Sequence, residues 1–236
     1  MSESEKNNKV AIVGFFDGSA GQVETWFEEV TGYEIACFVF GHDSFEEVNV
    51  EEENSKRVCK ITEFPQNKLF KNKLFICSSN WVEEIRKIGV YKALCLEPSN
   101  KKRQEHINLL RNEGIELVSA IHPSAIILPQ AKIHNGVWIN AGAIIGYKTE
   151  IESGTIVNTG AQIDHHNIVE ECCQIDPSAV TAGNVVLRNC CHIHTGATVI
   201  NRRIIGENSI VGAGSVVIRD VEPNCTVIGV PARVLK

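Results

Sequence analysis

An aliphatic side chain returns at every sixth position from Ile121 to Val217, and this period constrains the fold more than any other feature of the chain. Ile121, Ile127, Ile133, Ile139, Ile145, Ile151, Val157, Ile163, Val169, Ile175, Leu187, Ile193, Val199, Ile205, Val211 and Val217 hold the register, and Thr181 breaks it. A helix repeats every ~3.6 residues and a strand every two, so a period of six requires a repeated supersecondary unit that buries one large side chain per repeat. Four places after the aliphatic the residue is usually small, as at Ala143, Ala161, Cys173, Ala179, Cys191 and Ala197. A flat-sided column fits both: the aliphatic fills the axis and the small residue sits at an inward corner. With three hexads per turn, residues eighteen apart stack, as in Ile121, Ile139, Val157, Ile175, Ile193 and Val211. Each coil then buries its aliphatics on the next. The expected fold of residues 120–236 is an all-β parallel β-helix, a hexapeptide solenoid. Such solenoids wind left-handed, although ordinary parallel crossovers are right-handed.

Before the solenoid the pattern alternates. Lys9 to Gly14 (KVAIVG) reads as a buried strand ending at a glycine, followed by a loop from Phe15 to Gly21. Val23, Trp26, Phe27 and Val30 then fall at helical spacing, and Tyr33 to Phe40 forms a second strand. Strand, glycine turn, helix and strand in this order open a Rossmann-like unit, in which backbone N–H groups at a helix N-terminus hold phosphate. The spacing Gly14, Gly18, Gly21 differs from G-x-G-x-x-G, so these glycines read equally well as a simple turn. The acidic stretch Glu46 to Glu53 reads as a solvated excursion. Strands are expected at 74–77, 91–96 and 115–119, and helices at 81–88 and 101–112. The result is a polar tail over 1–8, an α/β Rossmann-like domain over 9–119, and the solenoid domain over 120–236.

Composition narrows the function. A net charge of -6 argues against nucleic-acid binding driven by phosphate neutralisation. The nine cysteines include no C-x-x-C pair, and the doublets Cys172–Cys173 and Cys190–Cys191 fall inside the repeats as reduced core or corner residues. The start is polar, and no apolar run approaches the roughly 20 residues of a membrane span, so a cytoplasmic protein is expected.

The solenoid register sorts the eight histidines. His165 and His166 take the third and fourth positions of the hexad opened by Ile163, at a corner outside the core. Adding eighteen puts Gly183 over His165 and Asn184 over His166; subtracting eighteen puts Tyr147 and Lys148 there. A glycine above an imidazole is expected to leave an open notch with exposed N–H groups, suited to a reacting carbonyl. A neutral imidazole there can take a proton from an attacking amine or hydroxyl, although a plain surface histidine reads equally well from position. His192 and His194 flank Ile193 and, with His165, could imitate a zinc site of the γ-carbonic-anhydrase kind. The twenty-seven residues from His165 to His192 amount to one and a half coils and set them on different edges, so no metal is expected. His42, His106, His122 and His134 have no convergent partners and read as surface residues.

These residues carry a resemblance. The run Asn158-Thr159-Gly160-Ala161-Gln162-Ile163-Asp164-His165, Ala182-Gly183-Asn184 one coil on, and Gly229-Val230-Pro231-Ala232-Arg233 near the end resemble the hexapeptide-repeat sugar acetyltransferases. The nearest kinds are the nucleotide-4-amino-sugar N-acetyltransferases of the bacillosamine pathway and the sialic-acid O-acetyltransferase-like proteins. The resemblance implies acetyl-CoA as co-substrate, a nucleotide-linked amino sugar as acceptor, and a homotrimer with active sites in the clefts between neighbouring solenoids. It implies His165 as general base, Asn158 lining the site, and Gln174, Gly183, Thr195 and Ala213 beside the pantetheine arm and thioester. The family usually carries an acid directly after its base; here that residue is His166, so Asp164 or a group from another subunit takes that part, or the base is weaker. A second family histidine is replaced by Gln174. In the first domain, Gly14, Asp17 and Gly18, with Asp43 after the second strand, are the candidate sugar-nucleotide contacts, on a loop that departs from the family spacing. The implied reaction is N-acetylation of a 4-amino-4,6-dideoxy sugar in surface-glycan synthesis. O-acetylation of a sugar hydroxyl is the rival, and an inactive trimeric scaffold or ligand sensor is the alternative of another class.

Overall fold

The computed structural model describes residues 8–14, 17–41 and 68–235. The chain divides into two compact units, Met1–Pro98 with Asn108–Val118, and Ser99–Ile107 with Ser119–Lys236. Residues 99–107, expected in the first domain, thus group with the solenoid.

In the first unit, strand β1 (Lys9–Val13) lies between β2 (Glu34–Phe40) and a later strand at Lys92–Cys95, parallel to both. Val10 to Val13 are fully buried, as expected of a strand covered on both faces. Beyond β2 comes β3 (Leu69–Phe70) as the antiparallel edge of β4 (Lys73–Cys77), and β5 (Lys92–Cys95) pairs with β6 (Glu116–Leu117), giving the order β3-β4-β2-β1-β5-β6. Among the described residues the helices are α1 (Asp17–Glu24), α2 (Phe27–Thr31), α3 (Trp81–Lys87) and α4 (Asn100–Asn112). The expected loop from Phe15 to Gly21 is corrected: the helix opens at Asp17 and contains Gly18 and Gly21. Ala20, Val23 and Phe27 are buried at helical spacing, and that packing outweighs the poor helix propensity of glycine, about 1 kcal/mol each. The acidic excursion, His42 and Asp43 lie outside the described residues.

In the second unit the hexads form two-residue strands in three parallel sheets. Ile139 pairs with Ile121 and Val157, Ile163 with Ile145 and Thr181, and Val169 with Ile151 and Leu187, so the stacking interval is eighteen residues on all three sides. This fits the left-handed parallel β-helix. The aliphatics from Ile139 to Val217 fill one continuous core, whereas Ile127, in the first coil with no coil beneath it, is 37% exposed. Thr181 is fully buried in the same column, and its hydroxyl has no hydrogen-bond partner among the described residues. The fourth residue of the hexad turns each corner with positive φ, as at Lys148 (57°), His166 (56°), Asn184 (61°) and Arg202 (60°). At the far end Thr226–Ile228 pairs antiparallel with Arg233–Val234, so Gly229 to Ala232 form the turn that blunts the growing sheet edge.

The opening of α4 is held to the solenoid by a buried arginine. Arg103 Nε donates to Gly154 O at 2.6 Å, and Nη2 donates to Cys172 O at 2.9 Å, Cys173 O at 3.3 Å and Asn100 Oδ1 at 2.7 Å. Asn100 Nδ2 donates to Cys190 O at 3.0 Å and Cys191 O at 3.1 Å. The cysteine doublets are buried free thiols, and burial pushes the Cys173 thiol well above its ordinary value. Among the described residues no helix is long and apolar enough to cross a membrane.

Candidate functional site

The turn after Gln162–Ile163 presents Asp164, His165 and His166 on the outside of the column, and a buried carboxamide fixes it from within. Asn167 Nδ2 donates to Asp164 O at 2.6 Å and Ala182 O at 3.0 Å, while its Oδ1 accepts from Val185 N at 3.2 Å. One coil below, Thr149 Oγ1 donates to the same Asp164 carbonyl at 2.6 Å. The Asp164 carboxylate accepts from the His165 backbone N–H at 2.8 Å. It therefore braces the turn and makes no hydrogen bond to the imidazole.

Gly183 lies against the His165 ring as the stacking interval requires, but the notch is not open. A Cβ built on Gly183 would stand 2.3 Å from Cε1, 2.5 Å from Nε2 and 2.9 Å from Nδ1 of His165. The imidazole itself occupies the space, because an exposed ring gains contact by folding onto a residue with no side chain. His166 is the partner the ring finds: the two Nδ1 atoms are 3.0 Å apart, with the rings edge to face. One Nδ1 must carry the proton. If His165 donates, its Nε2 keeps a lone pair and can act as a base; if His166 donates, His165 Nε2 carries hydrogen and can act only as an acid. The Tyr147 ring meets His166 edge-on at 5.5 Å. Beside His166 a groove of about 640 Å³ is lined by Lys132, Lys148, Glu150, Asn167 and Ile168 among others.

The remaining solenoid candidates lie on another edge. His165 turns the chain from the sheet of Gln162–Ile163 to that of Ile168–Val169, whereas Thr195 turns it from the sheet of His192–Ile193 to that of Thr198–Val199. Thr195 and Ala213 are exposed and stack eighteen apart on that second corner, with Asn158 and Gln174 half-buried beside it. A single chain thus brings Gly183 to His165 but keeps Asn158, Gln174, Thr195 and Ala213 away from it.

The second edge holds a cluster absent from the sequence reading. Asp176 Oδ2 is 2.8 Å from His192 Nε2 and 3.0 Å from His194 Nδ1, while Oδ1 accepts from Gln174 Nε2 at 2.9 Å and Asn158 Nδ2 at 3.3 Å. Burial alone would raise the Asp176 pKa, but the bonds from His192 and Gln174 and the charges of both histidines hold it down at about 2. Gln174 Oε1 is buried without a hydrogen-bond partner among the described residues. The eighteen-residue rule would have found the cluster, since it stacks Asn158, Asp176 and His194 in one column and Gln174 with His192 in the next.

In the first unit, Gly14 has φ 84°, and a Cβ there would stand 2.3 Å from Glu97 N, so close backbone approach demands the glycine. Its N–H donates to Val39 O at 3.0 Å and is spent within the sheet. Asp17 and Gly18 open α1. Of the remaining histidines, His134 reaches Glu150 at 3.0 Å, and His106 is half-buried where a surface position was expected.

No family model matches the chain. Among solved structures it is similar to the GDP-perosamine N-acetyltransferase of Caulobacter crescentus in complex with CoA and GDP-perosamine, at 27% identity over 97% of each chain with a TM-score of 0.79. The chain resembles the hexapeptide-repeat sugar acetyltransferases. The acetyltransferase domain of PglB from Neisseria gonorrhoeae, 24% identical over 97% of this chain and all of that one, shares the fold with a TM-score of 0.80. Among curated proteins, serine acetyltransferase of Synechococcus elongatus is 56% identical over 39 residues, 16% of each chain. The chain spans less than a fifth of the length of the curated relatives it matches.

Proposed function

We propose that the chain is an acetyl-CoA-dependent N-acetyltransferase acting on the 4-amino group of a nucleotide-linked 4-amino-4,6-dideoxy sugar, with His165 as general base. The observation that carries this reading is the exposed His165 imidazole, seated on Gly183 with Nδ1 engaged by His166 Nδ1. The full-length similarity to a protein solved with CoA and GDP-perosamine supports the two substrates.

In this reading the sugar amine nitrogen attacks the thioester carbonyl carbon as its proton passes to His165 Nε2. The His165 Nδ1–H donates to His166, which replaces the usual acid as the group that fixes the tautomer. The tetrahedral oxyanion is stabilised by a backbone N–H; that of Gly183 makes no hydrogen bond among the described residues and lies beside the ring. The C–S bond then breaks, and the imidazolium returns its proton to the departing CoA thiolate. A base so placed supplies about 10²–10⁴ in rate. Gln174, Thr195 and Ala213 hold CoA from the second edge and Asn158 lines the acceptor site beside them, so two copies of the column must meet and a homotrimer is part of the proposal. Asp17, Gly18 and Asp43 are proposed to contact the nucleotide, in a cytoplasmic step of surface-glycan synthesis.

The test is turnover of acetyl-CoA with paired nucleotide sugars that differ only in a 4-amino or 4-hydroxyl group. Amide formation on the amino sugar is expected. Ester formation alone would replace the reading with O-acetylation, and no transfer to either would favour a scaffold or sensor.

A further inference from the structure

We propose that Asp176, His192 and His194 form a binding site for a divalent transition metal of the Zn²⁺ class on the outer face of the solenoid. Within one chain the site lies on a different edge from His165; it shares Asn158 and Gln174 with the edge proposed above to face the co-substrate, but its test reads metal binding and not acetyl transfer.

The three residues offer one carboxylate oxygen and two imidazole nitrogens that all lie within 4.8 Å of one another. Zinc takes nitrogen and oxygen ligands at about 2.0–2.2 Å in a tetrahedron, which sets ligand atoms roughly 3.3 Å apart. The observed separations from Asp176 Oδ2, 2.8 Å to His192 Nε2 and 3.0 Å to His194 Nδ1, need to open by only about half an ångström to admit the ion. The two histidine nitrogens also lie within 4.8 Å of each other, so side-chain rotation brings all three ligands to the ion, and the fourth position falls to water.

The surroundings resemble those of built metal sites. The carboxylate has its non-ligating oxygen, Oδ1, held by two carboxamides, Gln174 and Asn158, leaving Oδ2 aimed between the two rings. Outer partners of this kind orient a ligand and raise metal affinity. The Asp176 side chain is 13% exposed and those of His192 and His194 are 21% and 39% exposed, so the ligands are anchored yet reachable from solvent. Gln174 Oε1 adds a buried acceptor with no partner among the described residues, a natural anchor for a metal-bound water. Backbone geometry holds the set in place: Asp176 follows strand Gln174–Ile175, and His192 and His194 flank Ile193 in the strand paired with it. The ion would tie two successive coils together, so binding is linked to stability.

The experiment uses the full-length chain, stripped with chelator and then equilibrated with Zn²⁺ or with Co²⁺ as a spectroscopic probe. One ion per chain is expected after dialysis, with a visible Co²⁺ ligand-field band of tetrahedral intensity and a Tm that rises with Zn²⁺ concentration. Asp176→Asn and the double change His192→Gln, His194→Gln should each lower affinity at least ~100-fold, while His165→Ala leaves stoichiometry and band unchanged. Wild-type protein that retains no stoichiometric ion overturns the site, and this holds even if a variant fails to fold. Full binding by the folded double variant, or its loss in folded His165→Ala protein, overturns the assignment equally.

Discussion

Gly183→Ala displaces the proposed base without altering it. The new Cβ would lie 2.3 Å from His165 Cε1 and 2.5 Å from Nε2, against an ordinary carbon contact of about 3.5 Å. The ring must therefore retreat by roughly 1.2 Å or swing off the glycine, breaking the 3.0 Å approach to His166. A misplacement of about 1 Å at a reacting group can cost ~10²-fold. Gly183 does not have positive φ, so alanine is compatible with its backbone, and the atoms it meets belong to an exposed, rotatable side chain. The fold should yield at the ring and lose less than about 1 kcal/mol. The assay pairs kcat for acetyl transfer to the amino sugar with urea denaturation of the same preparation. The expected result is kcat down ~10²-fold or more at nearly unchanged stability. Wild-type kcat in Gly183→Ala would refute the view that the seat of the ring matters. A collapse in stability would show that the corner cannot yield as described.

Two further outcomes test the packing. Thr181→Val replaces a buried, unpartnered hydroxyl in the axial column between Ile163 and Val199, and should raise stability by about 1 kcal/mol in chemical denaturation; a decrease would mean the hydroxyl is bonded. Arg103→Leu removes the donor shared by the Gly154, Cys172 and Cys173 carbonyls and should cost about 2–4 kcal/mol, whereas a loss under ~0.5 kcal/mol would count against its structural role.

The solenoid was legible because one side chain per hexad must fill the axis, so Ile163 and its companions announce the fold, the sheets and the stacking interval together. That interval also placed Gly183 on His165, yet it carries no rotamer information. The closed notch and the Nδ1 contact with His166 therefore had to come from the structure. Asp176 was within reach of the same arithmetic, but only if applied to the polar columns as well as to His165. Arg103 was not: a charged residue on an amphipathic helix reads as solvent-facing unless the carbonyls it meets are known. Helix α1 was read too short because Gly18 and Gly21 look like turn residues, while the burial of Ala20 that favours helix is a tertiary effect. The loop's role toward a nucleotide stays a sequence expectation, with Gly14 committed to the sheet and Asp43 outside the described residues.

The most direct measurement is kcat for acetyl transfer to a nucleotide-linked 4-amino sugar by His165→Ala, on protein whose oligomeric state is checked by sedimentation. A trimer of wild-type stability with kcat lower by about 10²–10⁴ is expected. A kcat within a few-fold of wild type would contradict the assignment of His165 as the base.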